Sequence, residues 1–107
     1  MKTNALKGAA LDWAVAKCMG HCDDETIIRR LEPDEEGWCI AYSTDWAQGG
    51  PIIERERLDI YGYDGENWCA NDNLRATQYG PTPLVAAMRC YVASKLGDEV
   101  KIPEELK

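Results

Sequence analysis

The chain has 107 residues, a length that suits one domain with a modest core. Its 19 acids against 12 bases give a net charge of −7, which repels phosphate backbones and disfavours direct nucleic-acid binding. It has no apolar run long enough to span a membrane, and Asp12 interrupts the apolar part of the N-terminus, so a signal peptide is not expected and a cytoplasmic location is.

Residues 8–20 carry the first helical pattern. Leu11, Ala14, Val15, Cys18 and Cys22 recur on one face, Trp13 lies off the centre of that stripe, and Gly20 supplies a left-handed stop. Asp23-Asp24-Glu25 reads as a solvated connector. Thr26–Leu31 reads as a strand, with a helix as the competing reading. Pro33–Gly37 is a turn, and Trp38–Tyr42 a second strand that completes a hairpin.

The segment STDWAQGGPIIERE, residues 43–56, combines polar groups, a tryptophan, two glycines and a proline. Gly49, Gly50 and Pro51 predict a backbone corner, with Ile52 and Ile53 anchoring it and a short helical turn following Pro51. Leu58–Tyr63 reads as a strand, with Gly62 a candidate bulge. Asp64–Asn67 is a hairpin turn, and Trp68–Ala70 the returning strand. Asn71–Gly80 is polar and reads as a loop. Thr82 and Pro83 open a C-terminal helix with Leu84, Val85, Met88, Tyr91, Val92 and Leu96 on its apolar face, and Gly97 ends it.

This order predicts an α+β fold. N- and C-terminal helices pack on one face of a small antiparallel sheet of about four strands. The expectation is a single domain over residues 1–107, with 98–107 a charged, partly ordered end.

Chemical motifs are sparse. Cys18, His21, Cys22, Asp23 and Asp24 are ligand types, but their spacing fits no familiar zinc motif and no second Cys/His pair follows. The five cysteines include no CxxC pair and read as free, mostly buried thiols. His21 is the only histidine, so a Cys–His enzyme would depend on it. Gly49-Gly50 lacks the lysine and hydroxyl of a phosphate loop. Gly80–Pro83 precedes a helix N-terminus, but a stiff cap explains it better than an anion site. No catalytic residue, metal or cofactor is expected.

ALDWAVAKC, YSTDWAQGGPIIERE and GPTPLVAAMRCYVASKLGDEV together resemble the NinX-like family, small accessory proteins of lambda-like temperate phages and enteric prophages. The resemblance runs through nearly the whole chain in the same order. It implies a phage-encoded protein working in a bacterial host's cytoplasm, and it carries over no activity and no residue role.

The leading expectation is a non-enzymatic accessory module that binds a host or phage protein; a homo-oligomer is also compatible. Its candidate interaction or corner residues are Asp45, Trp46, Gln48, Gly49, Gly50, Glu54 and Arg55, with Trp46, Gln48 and Arg55 exposed for contact. One alternative is a DNA mimic that occupies a DNA-binding host enzyme, with its acids ranked at phosphate-like spacing. Another is a small ligand-binding protein or enzyme with a pocket near residues 43–57, in which Asp45, Gln48, Glu54 or Arg55 converge.

Overall fold

A computed structural model describes residues 1–20, 23–74 and 76–107. Helix α1 spans Gly8–Cys18, α2 Asp24–Arg30, α3 Trp46–Glu56 and α4 Pro83–Leu96. Strands β1 (Asp59–Gly62), β2 (Trp68–Asn71) and β3 (Thr77–Gly80) form one antiparallel sheet in the order β1-β2-β3. The α+β expectation holds, with three strands rather than about four. Helix α4 lies on the sheet and touches all three strands, while α1 packs on α4.

Helix α4 forms where its punctuation places it. The Thr82 hydroxyl accepts from the Val85 N–H at 3.1 Å, Pro83 is the first helical residue, and Gly97 closes the helix at φ 85°. Leu84, Met88, Tyr91 and Val92 are buried in the core. Helix α1 ends at Cys18, with Gly20 left-handed at φ 87°. Residues 10–16 are buried all round, including Trp13 and Asp12. Cys22, the last residue of the expected stripe, lies outside the described residues.

Thr26–Leu31 is not a strand. The Asp23 side chain caps α2 by accepting from the Thr26 N–H at 2.7 Å. Asp24 and Glu25 fill the first turn, where the helix dipole favours acids, and Arg29 and Arg30 fill the last. The expected connector is therefore the start of the helix. Trp38–Tyr42 is not a strand either. The Pro33–Gly37 turn exists, with Gly37 at φ 87° and the Asp34 N–H bonded to the Trp38 carbonyl at 2.9 Å. The chain then meets α2 through a backbone bond from the Ile40 N–H to the Arg30 carbonyl at 2.8 Å.

The Asp64–Asn67 hairpin turn is present, its Asp64 carboxylate accepting from the Glu66 and Asn67 N–H groups. Gly62 pairs in register with Trp68, without a bulge. Asn71–Gly80 is more than a loop, because Thr77–Gly80 forms β3. Its sequence is polar because Thr77 and Tyr79 face out, while the inward Gly80 lets α4 approach: a Cβ there would lie 2.8 Å from the Ala86 nitrogen. The chain ends meet, the Met1 amino group donating to the Val100 carbonyl at 2.9 Å, and Val100 and Ile102 are buried.

Candidate functional site

Residues 43–57 form a braced helix rather than an open corner. Asp45 caps α3, its Oδ1 accepting from the Ala47 N–H at 2.9 Å. Pro51 sits inside the helix and removes one backbone donor there. The helix survives because packing holds it, and Arg57 closes it in a left-handed conformation at φ 55°.

Gln48 ties the preceding segment to the first turn of α3. Its Oε1 accepts from the Ala41 N–H at 2.9 Å. Its Nε2 donates to the Cys39 carbonyl at 2.8 Å and to Asp45 Oδ2 at 3.2 Å. Buried Asp12 on α1 makes a second tie by accepting the Ser43 N–H at 2.8 Å. Burial raises the Asp12 carboxyl above its ordinary value, and Ser43 opposes that shift. The Ser43 hydroxyl faces the same carboxylate without completing a well-formed hydrogen bond.

The two glycines have different roles. Gly49 is buried, and a Cβ there would lie 2.5 Å from the Tyr42 carbonyl oxygen and 2.6 Å from Leu84 Cδ1. At Gly50 a Cβ would meet, beyond its neighbours in the helix, only the edge of the Trp46 ring at 3.9 Å.

Arg55 works at the other end of the helix. Its Nη2 donates to the Tyr91 hydroxyl at 3.2 Å and approaches Met19 Sδ at 3.3 Å, and the guanidinium lies 5.8 Å from the Tyr91 ring centre. Its Nε donates to Glu56 at 3.0 Å, and Lys95 approaches the same carboxylate at 3.2 Å. The Arg55 bond, then Lys95, hold the Glu56 carboxyl below the usual carboxylate range against the opposing effect of burial. The Tyr91 hydroxyl donates to the Cys18 carbonyl at 3.3 Å, so this network ties α3 and α4 to the end of α1.

Asp45, Gln48 and Arg55 thus bond within the protein, Gln48 partly buried and Arg55 still exposed at the surface. Trp46 is 55% exposed, and Glu54 is exposed with no side-chain partner among the described residues. Asp45 and Gln48 do not converge with Arg55. Ten residues of helix separate Asp45 from Arg55, about 15 Å of rise. Asp12, Glu56 and Tyr91 take part although none is among the candidate site residues of the sequence. The signal for Asp12 was legible, since an acid inside the apolar run Leu11–Val15 must either face water or hold a buried donor.

The Trp46 ring borders a hollow of about 230 Å³ whose wall continues through Thr44, Thr82, Pro83, Leu84 and Val85. Carbon dominates these side chains, so the hollow suits an apolar group better than an ion.

Four cysteines are described, all free, with Cys69 and Cys90 buried. Burial pushes the Cys18 thiol up to about 11 and Cys90 to about 12, which makes both poor nucleophiles. His21 and Cys22 of the Cys18–Asp24 cluster lie outside the described residues, and the described ones hold no group of three metal-ligating side chains. No helix among the described residues is long and apolar enough to cross a membrane. Several acids serve the chain's own backbone: Asp23, Asp34, Asp45, Asp64 and Asp72 each accept at least one nearby N–H.

No curated protein matches this chain. The family described as Bacteriophage P22, NinX matches residues 2–95, a span that contains α1, the braced 43–57 segment, the sheet and nearly all of α4, and the chain belongs to that family.

Proposed function

We propose that this phage-family protein is a non-enzymatic interaction module that acts in the cytoplasm of a bacterial host, with Trp46 as the anchor of its contact with a protein partner. The observation that carries the reading is the contrast within α3. Asp45, Gln48 and Gly49 lock the first turn to residues 39–43, yet the indole beside them is left 55% exposed at the rim of an apolar hollow. A rigid, exposed tryptophan loses little conformational entropy on binding, and tryptophan is enriched among residues that dominate interface energies. The hollow beside it is the size of one inserted side chain.

The test begins with a photo-crosslinking amino acid at position 46 in infected cells, which identifies the partner by mass. Binding of the purified partner is then measured with wild-type protein and with Trp46→Ala. The variant should fold normally, because little of the ring supports the core, and should weaken binding about 30-fold or more, the scale of a central tryptophan. A folded Trp46→Ala that binds the partner as wild type does would refute the assignment.

A further inference from the structure

The sheet has two unlike faces. Ile60, Ala70 and Gly80 turn toward α4, and Ala70 is completely buried. The opposite face carries Tyr61, Cys69 and Tyr79 in one cross-strand row and Asp59, Asn71 and Thr77 in the next. No described element covers this second face. Tyr61 is 49% exposed, Tyr63 60% and Tyr79 44%. The Tyr63 and Tyr79 rings lie 4.8 Å apart, and the Cys69 thiol donates to the Tyr61 hydroxyl at 3.2 Å. Cys69 is 1% exposed yet lies outside the main core cluster, with Tyr61 against its thiol and Tyr79 its cross-strand neighbour.

The sequence around these rings is mainly acidic. Between Asp59 and Gly80 the sequence holds four acids and one base, Arg75. The Asp59 carboxylate shares the tyrosine face, and Glu66 lies in the turn that carries Tyr63; both are exposed and without a side-chain partner among the described residues. Aromatic faces carry negative quadrupole density and attract cations. A second copy of this face would set Asp59 and Glu66 against their own kind, and a nucleic acid would set phosphates against them.

We propose that the outer face of the sheet docks an arginine-containing cationic segment of a partner protein, whose guanidinium groups stack on Tyr61, Tyr63 and Tyr79 and pair with Asp59 and Glu66. Arginine suits the site better than lysine because its planar, weakly hydrated group both stacks on a ring and forks onto a carboxylate. This surface lies on the far side of the sheet from α4 and does not depend on the Trp46 reading.

The probes are a fluorescein-labelled Arg-Gly repeat peptide, its Lys-Gly counterpart of equal charge, and oligo-dT, each titrated at physiological salt against the full ¹⁵N-labelled chain. The Arg peptide should bind, shift the amides of residues 59–63, 68–71 and 77–80, and bind several-fold more tightly than the Lys peptide. The triple variant Y61L/Y63L/Y79L keeps apolar side chains at these positions but removes the ring faces, and should bind about tenfold more weakly. D59N/E66Q should also weaken binding. If the triple variant does not fold, upfield ring-current shifts of the peptide's Arg Hδ protons on wild-type protein decide in its place. The proposal is overturned if the Arg peptide does not bind, or if the folded triple variant binds it like wild type. It is equally overturned if the shifts gather on residues 23–25, 34–36 and 104–105, if oligo-dT occupies the face, or if sedimentation shows a dimer that the triple variant dissolves.

Discussion

Gly49 and Gly50 are neighbours in the same helix, and an added methyl group should act on them very differently. Alanine normally stabilises a helix interior by about 0.5–1 kcal/mol relative to glycine. At Gly50 a new Cβ meets nothing beyond its chain neighbours closer than Trp46 Cε3 at an ordinary 3.9 Å, but Pro51 follows, and its ring crowds a preceding Cβ in helical conformation, which offsets the gain. At Gly49 the Cβ would lie 2.5 Å from the Tyr42 carbonyl oxygen and 2.6 Å from Leu84 Cδ1. Leu84 can turn its side chain, but the Tyr42 carbonyl is backbone in a segment held by the bond from the Ser43 N–H to Asp12. Overpacking of this kind costs about 1–3 kcal/mol, which exceeds the propensity gain. Gly49→Ala should therefore lose about 1–2 kcal/mol, while Gly50→Ala should stay within about 0.5 kcal/mol of wild type. Urea unfolding of the two variants and wild type, with unchanged m-values, gives the comparison directly, and their Tm values should differ by about 6 °C. A Gly49→Ala at least as stable as wild type, or a Gly50→Ala destabilised as much as Gly49→Ala, would refute the packing argument.

Gln48→Glu would set a carboxylate oxygen against the Cys39 carbonyl and Asp45, where an amide now donates to both. It should cost about 1–3 kcal/mol at neutral pH and recover as acid protonates the new group; a loss that does not change with pH contradicts the geometry. Asp12 has a folded-state pKa raised by burial, so the stability it contributes is full below its unfolded value and is lost as pH rises through its folded value. Wild type should consequently gain on Asp12→Asn as pH falls from 7 towards 4 in paired urea titrations, and a constant gap would count against the burial assignment. Thiols pushed up to about 11 and about 12 hold far less thiolate at pH 8 than ordinary ones. Site-resolved iodoacetamide labelling should find Cys18 and Cys90 roughly 100-fold or more slower than a free thiol, and rapid modification in folded protein would show those environments to be misread.

What the chain discloses locally is its punctuation. Thr82-Pro83 and Gly97 bound α4, Gly20 follows the end of α1, and Asp64–Asn67 turns the hairpin, because each of these depends on a residue and its immediate neighbours. What it conceals depends on contacts distant in sequence. Gly-Gly-Pro signals a break, yet α3 runs through it, since Asp45 caps it, Gln48 braces it, and Ile52 is buried beneath it. Thr77–Gly80 has no apolar run, yet becomes a strand because β2 pairs with it and Gly80 admits α4. Thr26–Leu31 has β-branched residues, but the Asp23 cap and the acid-to-base charge order favour a helix. The candidate residues divide in the same way. Asp45 could be read as a cap from type and position, whereas the inward bonds of Gln48 and the surface bonds of Arg55 require Cys39, Tyr91 and Met19, whose proximity only the fold creates.

Helix α4 is the wall between the two exposed aromatic surfaces. Its first turn contributes to the hollow beside Trp46, and it covers the inner face of the sheet whose outer face carries the tyrosines. Trp46 touches none of the strands through a hydrogen bond or ring contact among the described residues, and the tyrosines touch nothing in α3. Substitutions at such separated sites usually add, within a few tenths of a kcal/mol. Trp46→Ala should therefore leave Arg-peptide binding unchanged, and the tyrosine variant should leave partner binding at Trp46 unchanged. Reciprocal loss in both assays would mean that the two surfaces serve one continuous interface wrapped around the N-terminal end of α4, and a partner spanning it would have to reach past Gly80, where β3 passes into that helix.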